Sequence, residues 1–216
     1  QDAKMRSDSQ DRALQKGDSG MDNDGTVLRL DRVCKSFGGL QVLVDVDLTV
    51  KKEEIVGLIG PNGAGKSTIF NVITSFYQPN AGDVYLQGER ITGLAPHKVC
   101  HKGVARTFQL VKTFLKMTVF ENVMVGAVYG HIHRGRGSRQ RAMEALDLVG
   151  LSGKRDVLTS QVTLSERRLL EVAMALASMP VITLLDEPMA GLNAVEIQNL
   201  LNVIKRARDE RKTSIL

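Results

Sequence analysis

The amino-acid sequence predicts an α/β fold organised around a buried strand, a glycine-rich loop and the helix that follows the loop. Residues 55–59 form a short apolar run, which is typical of a parallel strand buried on both faces. Residues 60–65 then contain three glycines, and glycine permits tight backbone turns that other residues resist. Beyond the loop, apolar residues recur at i, i+3, i+4 and i+7, which predicts a helix beginning at the loop. These residues are Ile69, Val72, Ile73 and Phe76.

Composition restricts the classes of protein to which this chain can belong. Its 216 residues suffice for one domain with a lobe, and 43% hydrophobic with 25% charged residues is ordinary for a globular protein. The formal charge of +5 suits nucleic acid, acidic lipid or a nucleotide, and selects none of them. Two cysteines, Cys34 and Cys100, are too few for a disulfide framework and are expected to be reduced cytosolic thiols. No run of 18 apolar residues is present, so the sequence predicts no membrane span.

The N-terminal part is expected to begin with a disordered segment and to continue with antiparallel strands. Residues 1–25 are almost all polar and cannot bury enough apolar surface to fold, so we predict a disordered leader or an appended tag. Residues 26–30 and 42–50 alternate between apolar and polar side chains, as antiparallel strands do. They lead into the apolar run at 55–59, and the globular domain is expected to span residues 26–216.

The middle of the chain is predicted to add short strands and helices. Residues 83–88 have the pattern of a strand and a turn, and residues 96–102 that of a short helix. Residues 103–109 are predicted to form a strand that ends in an exposed Gln109. A further helix is expected to start within residues 117–123.

A basic stretch at residues 131–141 contains four arginines. Such a stretch can contact nucleic acid or anionic lipid, but only Tyr129 lies nearby in sequence for base stacking. We therefore interpret it as a solvated loop, and no nucleic-acid partner is expected. The loop leads into a predicted helix at 142–151 that Gly150 closes.

The C-terminal part carries two helix-capping signals and two further strands. Two pairs have the spacing of a capping box, namely Thr163 with Glu166 and Asn193 with Glu196. The first pair predicts a helix from about residue 165 to residue 178, and the second predicts the last helix. Residues 181–185 are expected to form a second buried strand, and residues 213–216 the first half of another.

The glycine-rich loop matches G-x-x-x-x-G-K-[ST], the P-loop that surrounds nucleotide phosphates. Successive N–H groups of such a loop converge on one anion, and the following helix adds the positive end of its dipole. Lys66 is expected to reach the β- and γ-phosphates, and the Ser67 hydroxyl to contact Mg²⁺. The nucleotide-binding residues predicted from this motif are Gly60, Pro61, Asn62, Gly63, Ala64, Gly65, Lys66, Ser67 and Thr68.

Two carboxylates follow the predicted strand at 181–185, at the carboxyl end where parallel sheets build their sites. Asp186 is expected to hold Mg²⁺ beside Ser67. Glu187 is expected to polarise the attacking water. Together with an exposed Gln109, these groups indicate cleavage of a phosphoanhydride by positioning and charge neutralisation.

Four motifs in this order resemble the nucleotide-binding domain of ABC transporters, and the resemblance covers residues 27–216. The motifs are residues 60–68, Gln109, residues 185–188 and residues 191–193. Three strings, at residues 103–109, 117–123 and 190–193, are similar to the ATPase subunit of branched-chain amino-acid importers. The resemblance implies a P-loop NTPase core of the RecA type, an N-terminal antiparallel β subdomain and a small helical lobe at about 110–165.

The resemblance also implies partners and roles for particular residues. ATP and Mg²⁺ are expected between the P-loop of one subunit and the signature motif of a second, identical or different, ATPase subunit. Glu187 would be the general base, Gln109 would contact Mg²⁺ and the attacking water, and Phe37 would stack on adenine. A groove near residues 109–125 would receive a helix of transmembrane permease subunits. The expected protein is thus a cytoplasmic ATPase, peripheral on the inner face of the membrane, that energises import of branched-chain amino acids.

Two features depart from the pattern of the family. The signature L-S-G-G-Q aligns with residues 162–166, so that Thr163, Leu164, Ser165 and Glu166 stand in its positions. Thr163 can replace the serine hydroxyl, but both glycines are absent and side chains would crowd the partner's γ-phosphate. The family's switch histidine follows the strand that starts at Thr213, and the sequence ends before it. The domain is therefore expected to be C-terminally truncated and to hydrolyse ATP weakly.

Two other functions stay open on the sequence. The first is a soluble ABC-type ATPase of translation or DNA repair, although such proteins usually carry paired domains or a long coiled-coil insertion. The second is a hydrolysis-deficient ATP-binding fragment, which the altered signature and the missing histidine favour. The transported substrate does not follow from this sequence, because the permease and the binding protein select it.

Overall fold

The computed structural model describes residues 25–109, 112–130 and 137–216. The predicted leader, apart from Gly25, lies outside the described residues, and so does most of the predicted basic loop at 131–141.

The first sheet has four antiparallel strands in the order β2-β1-β3-β4. Its strands are β1 Thr26–Phe37, β2 Leu40–Lys51, β3 Ala81–Leu86 and β4 Glu89–Arg90. The strands predicted at 26–30 and 42–50 are confirmed and extend further than predicted. They continue because bulges around Arg32 and Asp45, each with a φ of 45°, absorb shifts in the register of the pair.

The second sheet has three parallel strands in the order β5-β6-β7. They are β5 Val104–Arg106, β6 Ile182–Leu184 and β7 Ser214–Ile215. All three residues of β6 are buried, as expected for the middle strand of a sheet that is covered on both faces. The predicted strands at 103–109, 181–185 and 213–216 are confirmed in shorter form.

The prediction of a buried strand at residues 55–59 is wrong. Ile55 forms one isolated parallel bridge with Ile215, and the Val56 N–H donates to the Ile215 carbonyl at 2.8 Å. Ile59 is 95% exposed. A strand needs a neighbour that accepts its backbone hydrogen bonds, and among the described residues none pairs with residues 57–59.

Six α-helices connect and cover the strands in the described part of the chain. They are α1 Lys66–Ile73, α2 Pro96–His101, α3 Val119–Tyr129, α4 Ser138–Val149, α5 Leu164–Ala177 and α6 Ala194–Arg211. Both predicted capping boxes are confirmed, at the start of α5 and of α6. Gly150 closes α4 with a φ of 76°, as predicted. Phe76 does not extend α1 as predicted, since Ser75 turns away with a φ of 58° and Phe76 is 59% exposed.

Two hydrophobic cores meet at the parallel sheet. One core joins α3, α4, α5 and α6, and the other joins the antiparallel sheet with α1. Leu184 belongs to the second core and Leu185 to the first, because successive side chains of an extended segment point to opposite faces. Among the described residues, none of the helices is both long enough and apolar enough to span a bilayer.

Helices α3 and α5 approach each other closely at two glycines. A Cβ atom at Gly126 would lie 2.0 Å from the Met174 carbonyl oxygen, and one at Gly130 would lie 2.4 Å from the Ser178 Cα. Both distances are far below van der Waals contact. The packing of α3 against α5 therefore requires glycine at these positions.

We predict that Gly126→Ala lowers the free energy of unfolding by about 1–3 kcal/mol, because the methyl group must push two packed helices apart. The measurement is urea unfolding followed by circular dichroism. Gly153→Ala is the matched control, since no heavy atom lies within 4 Å of its Cβ position. Equal stability of the two variants would contradict this account of the packing.

Candidate functional site

The loop at residues 60–68 connects the end of the 55–59 segment to α1. Gly63 and Gly65 adopt φ values of 83° and 88°, in the left-handed region that favours glycine. A Cβ at Gly65 would also lie 2.9 Å from a methyl carbon of Leu43, so this residue must be small as well as flexible. The Lys66 ammonium donates to the carbonyls of Gly60 and Pro61 at 2.7 and 2.9 Å. The loop therefore carries its own cation at the N-terminus of α1.

A cavity of about 250 Å³ lies over this loop. Its lining combines loop residues with three residues from elsewhere in the chain. The lining residues are Val42, Asn62, Gly63, Gly65, Lys66, Ser67, Thr68, Gln109 and Glu187. Backbone N–H groups, an ammonium and hydroxyl groups thus share one small space with an amide and a carboxylate.

Gln109 and Glu187 meet in this cavity. The Gln109 Nε2 donates to the Glu187 Oε2 at 2.9 Å, and both residues follow strands of the parallel sheet. Glu187 has a φ of 47°, a left-handed conformation that costs about 1–3 kcal/mol in a non-glycine residue. The arrangement places a carboxylate oxygen beside the loop, where it can accept a proton.

Asp186 lies next to Glu187 in the sequence but contacts Arg106 rather than Gln109. Its carboxylate is buried and accepts a hydrogen bond from the Arg106 Nη2 at 2.8 Å. Within the described ranges, no cluster of three or more His, Cys, Asp or Glu side chains forms a metal site by itself. Mg²⁺ usually keeps several waters and takes only one or two protein oxygens besides phosphate oxygens. The Ser67 hydroxyl and the Gln109 amide oxygen in the cavity lining fit that requirement, whereas Asp186 is buried beside Arg106 and is not among the lining residues.

Comparison with known proteins identifies the family. A family model described as ABC transporter matches residues 43–190. The chain belongs to the ABC transporter family. It is 38% identical over 205 residues to a high-affinity branched-chain amino-acid transport ATP-binding protein, BraF, of Pseudomonas aeruginosa, with 88% of this chain and 80% of that protein covered. LivG of Escherichia coli K12, which has the same description, is 36% identical with the same coverage.

A relative with a different transport role is also similar. The lipopolysaccharide export ATP-binding protein LptB of Haemophilus influenzae is 34% identical over 184 residues, covering 85% of this chain and 76% of that protein. Among solved structures, an ATP-binding cassette of an ABC transporter in its ADP conformation superposes with a TM-score of 0.80 at 29% identity, covering 88% and 80% of the two chains. A dimeric bacterial ABC transporter cassette has a TM-score of 0.75 at 26% identity, covering 87% and 86%. The predicted P-loop NTPase fold class is confirmed.

The predicted signature positions, residues 163–166, lie at the N-terminus of α5. Thr163 caps the helix, its Oγ1 accepting the Glu166 N–H at 3.2 Å, and Glu166 reaches back to the Thr163 N–H at 3.0 Å. The Lys154 ammonium also pairs with Glu166 and is the main reason why the pKa of that carboxyl lies below its ordinary value. Leu164 is 50% exposed. Residues 163–166 are absent from the lining of the cavity around Lys66.

Phe37 lies at the end of β1, outside the lining of this cavity. Its ring is 41% exposed and makes an edge-to-face contact with Tyr77, with ring centroids 5.1 Å apart. The Lys35 ammonium lies 5.1 Å from the centre of the same ring. The side chain is therefore an exposed aromatic surface rather than a core residue.

Helix α5 binds the backbone of Phe108, Gln109 and Lys112. The Arg168 guanidinium donates to the carbonyls of Phe108 and Gln109 at 3.2 and 2.9 Å. The Glu171 Oε1 accepts the Lys112 N–H at 2.7 Å. These contacts tie Phe108, Gln109 and Lys112 to the helix that begins at the predicted signature positions. These contacts were not predicted from the sequence, because the motifs do not include Arg168 or Glu171 in the middle of α5.

A groove of about 330 Å³ lies between α2 and β5 on one side and α3 and α5 on the other. Its wall is mainly apolar, with a few charged groups. The residues that line it include Phe76, Val99, Arg106, Phe108, Tyr129 and Glu171. Phe76 and Tyr129 are 59% and 69% exposed, which is unusual for aromatic side chains that already line a concave surface.

The role of Arg106 was also not predicted from the sequence. A signal was available, because Arg106 ends a short, otherwise apolar strand of a parallel sheet, and a buried charge requires a partner. The sequence did not reveal which carboxylate that partner would be.

We predict that the wild-type protein loses stability relative to Glu171→Gln as the pH rises. Burial raises the pKa of the Glu171 carboxyl, against the opposing effects of the Lys112 N–H and Arg168. A raised pKa in the folded state means that its stabilising contribution is complete below the unfolded pKa of about 4.3 and is lost as the pH passes through the folded value. Glutamine keeps an acceptor for the Lys112 N–H.

The measurement is the free energy of unfolding in urea for both proteins between pH 4.5 and pH 8. Glu210→Gln removes an exposed carboxylate of α6 that pairs with Arg206, as Glu171 pairs with Arg168. It therefore reports the effect of losing a charge and its ion pair at the surface. A difference between wild type and Glu171→Gln that is constant over this range, or that changes in the opposite direction, would show that burial does not control this carboxyl.

Proposed function

We propose that this chain binds MgATP in the cavity over residues 60–68 and hydrolyses it. The observation that carries the proposal is that Lys66, Gln109 and Glu187, which are far apart in the sequence, line one small cavity. An ammonium and converging N–H groups suit an anion. A carboxylate in the same space suits the activation of water.

Each residue has a distinct role in this proposal. Lys66 and the N–H groups of the loop hold the β- and γ-phosphates, and Phe37 offers a face for adenine. Mg²⁺, held by Ser67, Gln109 and Asp186, supplies charge neutralisation at the phosphate oxygens when bound. Glu187 accepts the proton of the attacking water, which the Gln109 side chain helps to orient.

A second ATPase subunit completes the site in this proposal. Residues 163–166 are absent from the cavity lining of their own chain, which favours a head-to-tail dimer, homomeric or heteromeric, in which they face the partner's ATP. A similar solved cassette is dimeric, which supports a dimer for this chain. In this chain Thr163 and Glu166 are engaged with each other at the helix cap. This leaves Leu164 and Ser165 as the side chains that approach the partner's γ-phosphate.

The dimer would serve a membrane transporter from the cytoplasmic side. The groove beside Phe76 and Tyr129 is apolar and open, as a docking surface for a permease helix would be. Relatives that are 36–38% identical are ATP-binding proteins of branched-chain amino-acid transport, and we propose that this chain energises import of such amino acids. The LptB relative makes export the alternative to be tested.

The experiment is co-expression with the permease pair of a branched-chain amino-acid importer, followed by purification in detergent and an ATPase assay. Retention of the chain on the permease, with turnover that rises when the binding protein delivers leucine, is the expected result. Association without a response to amino acids would redirect the proposal to another cargo. ATP binding without turnover would favour a hydrolysis-deficient fragment, and stimulation by RNA or DNA a non-transport ATPase.

We predict that Lys66→Ala abolishes ATP binding, because the variant lacks the cation that the loop places at the phosphates. Binding of a fluorescent ATP analogue measures the effect. Lys205→Ala, which removes an exposed lysine of α6, is the matched control and should bind as the wild type does. Near-normal affinity in Lys66→Ala would contradict the assignment of the loop.

We predict that Glu187→Gln retains ATP affinity and loses about 10²–10⁴ in turnover, the usual effect of removing a general base. Glutamine has the shape of glutamate, and its carbonyl can still accept the hydrogen bond from Gln109. Single-turnover hydrolysis and nucleotide binding are measured on the same preparation. If the variant hydrolysed ATP as fast as wild type, the base would be another residue.

A further inference from the structure

Arg106 joins the three segments that build the proposed ATP site. It is the last residue of β5 and pairs in register with Leu184 of β6, two residues before Asp186. The side chains of Arg106 and Asp186 are only 8% and 6% exposed. A guanidinium and a carboxylate are therefore packed together away from water, at the carboxyl ends of two adjacent parallel strands.

The Arg106 guanidinium is fixed from several sides. Its Nη2 donates to the Asp186 Oδ2 at 2.8 Å, and its Nη1 donates to the Asn71 Oδ1 at 2.7 Å. The rings of Phe70 and Phe108 lie 5.6 and 5.2 Å from its central carbon, within the range of cation–π attraction. Asn71 and Phe70 belong to α1, the helix that begins at the phosphate loop. Arg106 thus connects α1 to Asp186.

Stability alone is a weak explanation for such a pair. Removing two charges from water costs about as much as their attraction returns, and apolar replacements of buried ion pairs are often neutral or stabilising. The geometry instead resembles the outer shell of a metal site, in which a fixed donor orients a carboxylate by binding one of its oxygens. Arg106 engages only the Oδ2 of Asp186, and the proposal assigns the other oxygen, Oδ1, to the metal.

We propose that Arg106 is the positioning residue for Asp186 and thereby determines how tightly the ATP site binds Mg²⁺. This inference rests on the proposed function, since Asp186 is the proposed Mg²⁺ carboxylate. Arg106 also lines the groove beside α3 and α5. The side chain that orients Asp186 is therefore part of the proposed docking surface as well.

The test separates metal binding from nucleotide binding. Affinity for a fluorescent ATP analogue is measured in EDTA and over a Mg²⁺ titration, for wild type, Arg106→Gln and Arg106→Lys. Arg106→Gln is expected to need about 10–100-fold more Mg²⁺ for the half-maximal effect, the usual loss when an outer-shell partner is removed. Its affinity in EDTA should not change, because the loop holds the phosphates. Arg106→Lys should need a Mg²⁺ concentration between those of wild type and Arg106→Gln, because lysine keeps the charge without the guanidinium fork.

Two further variants distinguish a loss of folding from a loss of metal binding. Arg211→Lys alters another partly buried arginine, which pairs with Glu144 at 2.9 Å away from the cavity, and it should match wild type in both conditions. Asn71→Ala leaves the Arg106–Asp186 ion pair intact but removes its anchor on α1. It should therefore raise the Mg²⁺ concentration needed for the half-maximal effect, as Arg106→Lys does. If Arg106→Gln does not fold, the Mg²⁺ titration of Asn71→Ala decides the question.

The outcomes are distinct. Mg²⁺ dependence in Arg106→Gln that equals wild type overturns the proposal. If Arg106→Gln loses the same affinity for the ATP analogue in EDTA and in Mg²⁺, and also has a lower melting temperature, Arg106 has a structural role. That result overturns the proposal as well. If wild-type ATP binding did not respond to Mg²⁺ at all, the proposed function would fail first, and the role of Arg106 would fail with it.

Discussion

Parallel pairing of β5 with β6 is the interaction on which the proposed site depends. The pair sets Val104 opposite Ile182 and Arg106 opposite Leu184. Because parallel strands end at the same edge of a sheet, the segments that follow them must meet. Gln109 then reaches Glu187, while Arg106 reaches Asp186.

Buried charge is concentrated at this junction, and its hydrogen bonding is incomplete. Among the described residues, the buried side-chain atoms that lack a partner are the Nε atoms of Arg106, Arg167 and Arg168 and the Oγ1 of Thr107. Such groups are uncommon in native proteins and each calls for an explanation. All four lie in β5, in the residue after it or in α5. Three of the four atoms belong to arginines whose terminal nitrogens donate hydrogen bonds elsewhere.

Helix α5 links the separate surfaces of the molecule. Its first turn contains the predicted signature positions, and its later turns line the groove. In its middle, Arg168 and Glu171 bind the backbone of Gln109 and Lys112. Close packing at Gly126 fixes α3 against the same helix. A displacement of α5 would therefore change the groove, the Gln109 segment and the signature positions together, because packed interiors transmit strain rather than absorb it.

The sequence by itself determined the features that depend on neighbours along the chain. The loop at 60–68, the capping boxes at Thr163 and Asn193 and the αL end of α4 at Gly150 all follow from residues within a few positions of one another. Tertiary structure decided the rest. Residues 57–59 are not a strand because a strand needs an adjacent partner, and Arg106 finds its carboxylate 80 residues away. Which distant backbone or charge becomes a neighbour is decided by how the sheet and helices pack.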